Sequence, residues 1–378
     1  MKFGAVFDTD DEISFFNQWL FKRDSTLIDN IVFYLHYHVT AALFLAGCLI
    51  VIVGTYIMDP IDCIADQAVI DVIDNYCLYH STHTFVGNPE DILTAHPGVS
   101  AKNSLESEIK FHHYYLWVGL ILGVQATSFY IPRGLWKTWE SSRVSTMLKE
   151  KETLLAEPSK EEKDSSDVLI TYFRSKNHST YYLRLLICEL LNLSNAVVQL
   201  TITNMFLGFG LLNLKLDVLQ LLRETRPLQR SDAIDQMFPK VTKCVFYSYG
   251  ASGNVQSYDS LCVLPVNAVN EKLFIIIYTW LWLLISASAI AVFYRIIFLW
   301  SSFRVFMLKF YMQETRDRSM ILKKLESTLG IGNWQLLNQL SGNLDSWELT
   351  KFVERLHAGL NKIESKKEEK DEGESTRR

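Results

Sequence analysis

Residues 273–298 read LFIIIYTWLWLLISASAIAVFYRIIF, an apolar stretch long enough to decide the fold class of the chain. A helix needs about 20 predominantly apolar residues to cross the hydrocarbon core of a bilayer. Three further segments have this character, at residues 31–57, 114–131 and, with more polar side chains, 182–207. Polar, charged stretches separate them, so the overall hydrophobic content of 49% conceals a strong segregation. The four segments predict an all-α membrane protein built as a bundle of four transmembrane helices.

The cysteines predict which stretches face the outside. Cys63 and Cys77 lie between the first and second apolar segments, and Cys244 and Cys262 lie between the third and fourth. Disulfides persist on the oxidising side of a membrane and are rare in the cytosol. We therefore expect two disulfide-bonded extracellular loops, with both termini and the middle loop in the cytoplasm. Four cysteines allow three pairings, among which the sequence alone does not choose.

The basic residues agree with this orientation in part. Cytoplasmic loops carry an excess of Lys and Arg. Nine such residues lie in 132–181, against two in 58–110, which favours a cytoplasmic middle loop. Residues 208–271 hold six and weaken the rule, so the cysteines decide that this loop is outside.

These features divide the chain into segments. The predicted segments are a cytoplasmic amino-terminal helix (1–30), transmembrane helices (31–57, 111–131, 182–207, 272–299), extracellular loops (58–110, 208–271), a cytoplasmic loop (132–181), a helical cytoplasmic tail (300–360) and a disordered tail (361–378). In the second extracellular loop, alternating apolar and polar residues on either side of Gly250 and Gly253 predict a small β-hairpin. The last residues are too charged to bury a core, which predicts their disorder.

Two groups of polar residues each allow two interpretations. Asp8, Asp10, Asp11 and Glu12 either favour the amino-terminal end of a helix electrostatically or form an acidic ring at a pore mouth. Glu189, Asn192, Asn195 and Gln199 recur on one face of the third apolar segment. That face either forms hydrogen bonds between helices, which we favour, or lines an aqueous path.

The sequence contains no motif that predicts catalysis. Walker, HExxH, GxSxG and Cys-x-x-Cys patterns are all missing. His80, His83, His112 and His113 could suggest a metal site, but the nearby cysteines are better used as disulfides. We therefore expect no enzymatic activity, no catalytic residue, no metal and no cofactor.

Several strings, in order along nearly the whole chain, resemble the innexins, a family of invertebrate gap junction proteins with members in some insect viruses. The pentapeptide Tyr114-Tyr115-Leu116-Trp117-Val118 is similar to the innexin signature YYQWV, with Leu116 in place of glutamine. Tyr34 stands where the family often has arginine. Further similar strings are DNIVFYLHYHVT from Asp29, FYIPRGLWKTWE from Phe129, FPKVTKC from Phe238, LCVLPVNAVNEK from Leu261 and IGNWQLLNQLSGNLD from Ile331.

The resemblance implies a channel and its architecture. A four-span subunit is too thin to enclose an aqueous path, so a channel requires a symmetric ring of copies. The family implies an octameric homo-oligomer in the plasma membrane, docked to a second ring on an apposed cell at a gap junction. It also implies the disulfides Cys63–Cys262 and Cys77–Cys244. The amino-terminal segment would fold into the pore, which makes pore-lining candidates of Met1, Lys2, Phe3, Asp8, Asp10, Asp11 and Glu12.

Such a channel or unpaired hemichannel would passively pass ions and small metabolites. Besides the lipid membrane, other innexins are candidate partners, and no nucleic-acid partner is expected. The alternative is a four-span adhesion or scaffold protein without a pore. The chain lacks the Cys-Cys-Gly of tetraspanins and the Trp-Gly-Leu-Trp of claudins, which favours the channel.

Overall fold

The computed structural model describes residues 26–65, 69–86, 99, 108–155, 172–173, 179–207 and 237–375. The pore-lining candidates lie outside these residues: Met1, Lys2, Phe3, Asp8, Asp10, Asp11 and Glu12.

The described residues are mostly helical, with five strands. The helices are α1 (Ile31–Tyr56), α2 (Ile70–His80), α3 (Val118–Ser128), α4 (Ile131–Glu140), α5 (Arg143–Leu155), α6 (Ser179–Leu207), α7 (Pro265–Ile297), α8 (Ser301–Tyr311), α9 (Arg318–Thr328), α10 (Ile331–Ser341) and α11 (Ser346–Ser375). The strands are β1 (Asp62–Cys63), β2 (Thr82–Val86), β3 (Glu108–His112), β4 (Val241–Tyr249) and β5 (Val255–Val263).

Three of the described helices are long and apolar enough to cross a membrane, namely α1, Thr180–Leu207 of α6, and α7. The segment predicted as the second span, 111–131, is not one continuous helix. It contains a short 3₁₀ turn, Tyr114–Leu116, followed by α3, and α4 begins at Ile131. Proline has no backbone N–H, and its ring collides with the carbonyl four residues earlier. Pro132 therefore separates α3 from α4, and the fourth span stays a prediction.

Two predicted boundaries need correction. The last long helix begins at Pro265 rather than at residue 272, because proline suits the first position of a helix and Asn267 and Asn270 are buried inside the protein rather than solvated. Helix α11 continues to Ser375, where we expected disorder from residue 361. Lys and Glu are good helix formers, and this intrinsic preference favours a helix in a segment that is too polar to form a core of its own.

The strands form one antiparallel sheet in the order β1-β5-β4-β2-β3. The predicted hairpin is present as β4 and β5, with Gly253 at a positive φ of 80° in its turn. The sheet is larger than predicted, because three strands from the first polar stretch join it. Strand β2 reaches β4 through the pair His83 and Lys243.

The chain divides into two compact units. Unit 1 comprises residues Met1–His38, Ile131–Leu193 and Ser286–Arg378, and unit 2 comprises Val39–Tyr130 and Ser194–Ile285. Among the described residues of unit 1, Trp136, Tyr181 and Trp334 are fully buried in an apolar core. Unit 2 contains the whole sheet and α2, whose core includes Ile73, Tyr115 and four cysteines.

Candidate functional site

Two disulfides join the first polar stretch to the second. Cys63 of β1 is bonded to Cys262 of β5, and Cys77 of α2 is bonded to Cys244 of β4. These are the pairs that the family resemblance implies. All four side chains are at most 1% exposed, so solvent has little access to the bonds. Each disulfide typically stabilises a fold by roughly 2–4 kcal/mol, mainly by restricting the unfolded chain.

The disulfides lie close together in the core of the sheet. The sulfur atoms of Cys63, Cys77 and Cys262 all lie within 4.8 Å of one another. Such a cluster has the spacing of metal ligands, but each sulfur is already used in a disulfide and is therefore no thiolate ligand. The cluster is consequently a covalent clamp between the two polar stretches.

The signature pentapeptide lies at the base of this sheet. Tyr115 is fully buried, and its hydroxyl lies 3.4 Å from the carbonyl oxygen of Cys77 and 3.3 Å from that of Leu78. The hydroxyl of Tyr114 donates to Asn267 Oδ1 over 3.0 Å. The two tyrosines therefore fasten the chain ahead of α3 to the disulfide cluster and to α7.

Trp117 and Val118, the other two residues that match the signature, have opposite environments. Trp117 is 58% exposed, whereas Val118 is fully buried. The Trp117 side chain therefore lies on the surface of the protein and is not part of its core.

Two further strings that the sequence analysis singled out, FPKVTKC and LCVLPVNAVNEK, meet at the start of α7. Lys240 Nζ lies 2.9 Å from the buried carboxylate of Glu271, which Lys272 also contacts. The side-chain amide of Asn267 donates to the carbonyl of Pro239 over 2.9 Å. These contacts between FPKVTKC and VNAVNEK thus fix the orientation of the β4–β5 hairpin relative to the first turns of α7.

Buried polar groups add pH-sensitive contacts to the sheet. His112 is 3% exposed and its Nε2 lies 2.8 Å from Thr84 Oγ1. Burial, helped by the charge of Lys110, lowers the pKa of His112 to about 4. Burial also raises the pKa of the Asp74 carboxyl, although that carboxyl accepts the backbone N–H of Cys63.

The far end of the β4–β5 hairpin carries exposed apolar side chains. Tyr247, Tyr249 and Val255 are 59%, 76% and 60% exposed. Large apolar side chains gathered on a surface mark sites of interaction with other molecules. The disulfide-linked sheet therefore presents an apolar tip.

Comparison with known proteins identifies the family. A family model described as Innexin matches residues 29–360. The chain belongs to the innexin family. An innexin inx2 of Schistocerca americana is 38% identical over 335 residues, covering 86% of this chain and 91% of the relative. An innexin inx2 of Drosophila melanogaster is 36% identical, covering 86% and 89% respectively.

Innexins are gap junction channel subunits, which confirms the predicted function. The family consists of membrane-spanning channel proteins rather than enzymes. Membership also implies a multi-pass protein of the plasma membrane that assembles into oligomers.

In unit 1 of this innexin, hydrogen bonds and an ion pair hold residues 27–29, which lie between the amino-terminal segment and α1. The backbone N–H and carbonyl of Leu27 bond the side-chain amide of Asn343 at 2.7 and 2.8 Å. Trp136 Nε1 donates to the carbonyl of Ile28 over 3.1 Å, and Asp29 pairs with Arg133. The position of the chain ahead of α1 is therefore set by α4 and by the end of α10.

The polar face of the third apolar segment forms contacts between helices. Gln199 donates to Ser128 Oγ over 2.9 Å and to Asn195 Oδ1 over 3.1 Å. Glu189 accepts from Asn30 over 2.7 Å and from Arg295 over 2.9 Å. Glu189, Asn192 and Gln199 are each at most 5% exposed, so the structure favours the packing interpretation over an aqueous wall.

Sequence reasoning overlooked Arg295 and Asn30 as partners of Glu189. A charged residue near the end of the last apolar segment was the available signal, since ionisable residues within spans are normally paired. Asn30 is also the amino-terminal cap of α1 and accepts the N–H of Phe33 over 2.8 Å.

Proposed function

We propose that this innexin forms an octameric hemichannel and that two hemichannels dock through the disulfide-linked sheet to make an intercellular channel. The observation that carries the proposal is the single sheet built from both polar stretches and clamped by two disulfides. Docking joins two surfaces across a gap, and a preorganised surface loses less conformational freedom on binding. A covalently clamped sheet suits that role.

The division into units supports a four-span topology with cytoplasmic termini. Among the described residues, unit 1 contains the parts of the chain nearest both termini and the described parts of the middle polar stretch, whereas unit 2 contains all four disulfide-bonded cysteines. The chain passes between the units at 38/39, 130/131, 193/194 and 285/286, once within each of the four apolar segments. Disulfides also favour an extracellular location for unit 2's sheet. We therefore propose that residues 114–131 cross the membrane even though Pro132 ends their helix, because Phe111 and His112 belong to strand β3 of the sheet.

The apolar tip is the proposed docking surface. Tyr247, Tyr249 and Val255 project from a hairpin whose other end contains the Cys63–Cys262 bond. Tyrosine supplies a large contact area at low entropic cost, which makes it common at interfaces. In an undocked hemichannel the same side chains would remain exposed to solvent.

The amino-terminal segment is the proposed narrowest part of the pore. The hydrogen bonds at Leu27 and Ile28 fix the position of the chain between this segment and α1. Each copy in a ring would therefore hold its amino-terminal segment in the same orientation. Met1, Lys2, Phe3, Asp8, Asp10, Asp11 and Glu12 would then line the path, and the carboxylates would attract cations. Conduction would be passive and limited to ions and small metabolites.

Two measurements test this proposal. Electron micrographs of the detergent-purified particle, viewed along its axis, should show eight-fold rings. Paired cells that both express the chain should pass current, while pairs in which one cell lacks it should pass none unless that cell has another innexin. Single cells that admit dye without any coupling between pairs would contradict docking and leave only the hemichannel.

A further inference from the structure

A groove in unit 2 runs between the second half of α1 and helix α3. Its volume is about 450 Å³, within the range of roughly 300–1,000 Å³ that is usual for small-molecule sites. Val51, Ile52, Leu120 and Val124 line it with apolar groups, and no charged side chain is among its lining residues. Because α1 is long and apolar enough to span a membrane, the groove lies where membrane lipids have access.

Small residues on α3 create the groove. Gly119 and Gly123 both line it, and neither fills it with a side chain. A Cβ added to Gly123 would meet only the sulfur of Cys48, at 3.6 Å, which is an ordinary van der Waals distance. The site can therefore be filled by substitution at Gly123 without forcing the two helices apart.

A hydroxyl group without a partner is buried in this apolar lining. Thr55 is 5% exposed, and among the described residues none forms a hydrogen bond with its Oγ1. Threonines in helices commonly donate to a carbonyl of the preceding turn. Thr127, which also lines the groove, does so to Val124 over 2.8 Å. A buried hydroxyl that lacks a partner costs free energy, and hydrocarbon offers it no water.

We propose that the groove binds a membrane lipid with an apolar body and a single hydroxyl group, the chemistry of a sterol. A χ1 rotation of Thr55 would bring its buried Oγ1 to the groove, where the lipid hydroxyl would pair with it, while the rings or chain of the lipid would lie against Val51, Leu120 and Val124. A phospholipid fits less well, because its charged headgroup would find no charged partner in the lining. The position of Thr55 next to the last residue of α1, Tyr56, puts the lipid hydroxyl near a membrane surface.

Photolabelling of the reconstituted protein tests this site. Vesicles containing the full chain are irradiated with a cholesterol analogue that carries a diazirine on its ring system, close to the hydroxyl, and mass spectrometry maps the labelled residues. We expect label in residues 48–56 and 116–127. Unlabelled cholesterol should compete for this label, whereas cholestane, the hydrocarbon without the hydroxyl, should compete about fivefold less well, the value of roughly one neutral hydrogen bond.

Two pairs of variants separate the site from general lipid contact. Thr55→Val removes only the hydroxyl and should abolish the difference between cholesterol and cholestane, while Thr127→Val, whose hydroxyl is already paired, should preserve it. Gly123→Val should fill the groove and reduce labelling several-fold. Gly54→Val is its control on α1, since an added Cβ there meets nothing within 4 Å and Gly54 does not line the groove.

Three outcomes would overturn the proposal. The first is label that lies mainly outside the groove, and the second is equal competition by the two sterols in the unmodified protein. The third is a second copy of the chain as the occupant, in which case Val124→Cys protomers would cross-link to one another while the groove remained unlabelled.

Discussion

The Glu189 carboxylate and the Arg295 guanidinium form a buried ion pair, in which Arg295 Nε lies 2.9 Å from both carboxylate oxygens. Their side chains are 4% and 5% exposed. Asn30 donates to the same carboxylate, and Arg295 Nη1 donates to Gln335 Oε1 over 2.9 Å. One charge pair therefore connects the base of α1 with α6, α7 and α10.

Removing one member of this pair should destabilise the protein strongly. Glu189→Ala would leave the Arg295 charge buried and unpaired, a change that typically costs about 3–5 kcal/mol. We expect a large fall in the thermal unfolding temperature of the purified protein. The double variant Glu189→Met with Arg295→Met should recover much of that loss, because it leaves no unpaired charge.

An exposed pair in the sheet provides the control. Lys243 Nζ lies 3.4 Å from Asp259, whose side chain is 38% exposed. Surface pairs contribute about 0–1 kcal/mol, so Asp259→Asn should hardly change unfolding. If Glu189→Ala and Asp259→Asn lowered the unfolding temperature equally, burial would not explain the contribution of the Glu189–Arg295 pair to stability.

A charge at the hairpin tip should prevent docking without preventing channel assembly. Tyr249→Asp places a carboxylate on a side chain that is 76% exposed, so the fold should tolerate it, but docking would then bury an unpaired charge. Junctional current between paired cells should be lost while dye uptake by single cells persists. Met320→Asp on α9, at a residue 65% exposed in unit 1, should preserve both. Normal coupling in the Tyr249→Asp variant would remove this tip from the docking surface.

Mild acid should destabilise the sheet through His112. The folded protein holds the pKa of His112 at about 4, below the ordinary value of 6.5. The unfolded chain therefore binds more protons between these values, and the free energy of unfolding falls as the pH falls from about 6.5 towards 4. His83, whose pKa burial also lowers, contributes in the same direction.

The non-titrating variant His112→Gln checks this origin of the acid sensitivity. Thermal unfolding temperatures measured between pH 7.5 and 4.5 should depend less on pH in the variant than in the unmodified protein. The slope should not vanish, because His83 remains. An unchanged slope would assign the sensitivity to other groups.

Neutralising the amino-terminal carboxylates should reduce the cation preference of the channel. The combined variant Asp8→Asn, Asp10→Asn, Asp11→Asn and Glu12→Gln removes up to four negative charges per copy from the proposed pore. Reversal potentials in a salt gradient should move towards the value of a non-selective channel. A reversal potential identical to that of the unmodified protein would place these residues away from the conduction path.

Sequence patterns predicted the elements that depend on local composition. The apolar run of α7 and the alternation on either side of Gly250 and Gly253 each encode their own structure, so the long helix and the hairpin follow from them. The polar face that includes Glu189 and Gln199 was also visible from its spacing. In these cases the signal lies within one helix or one hairpin.

Contacts between distant segments were harder to predict. Strand β2 pairs with β4, which is more than a hundred residues later in the chain. The residue pattern of each strand does not indicate which other strand it pairs with. The pairing of Arg295 with Glu189 likewise depends on how α6 and α7 pack. We predicted a continuous second span from the apolar composition of residues 111–131. That prediction neglected the local effect of Pro132, which interrupts the helix.

Junctional conductance in paired cells tests most directly the claim that disulfides preorganise a docking surface. The cells express the unmodified chain, Cys63→Ser, Cys244→Ser, or Cys48→Ser as a control, since Cys48 forms no disulfide. Surface labelling confirms equal delivery to the plasma membrane. We predict current for the unmodified chain and Cys48→Ser, and none for Cys63→Ser or Cys244→Ser. Undiminished conductance in both of the latter variants would contradict the account.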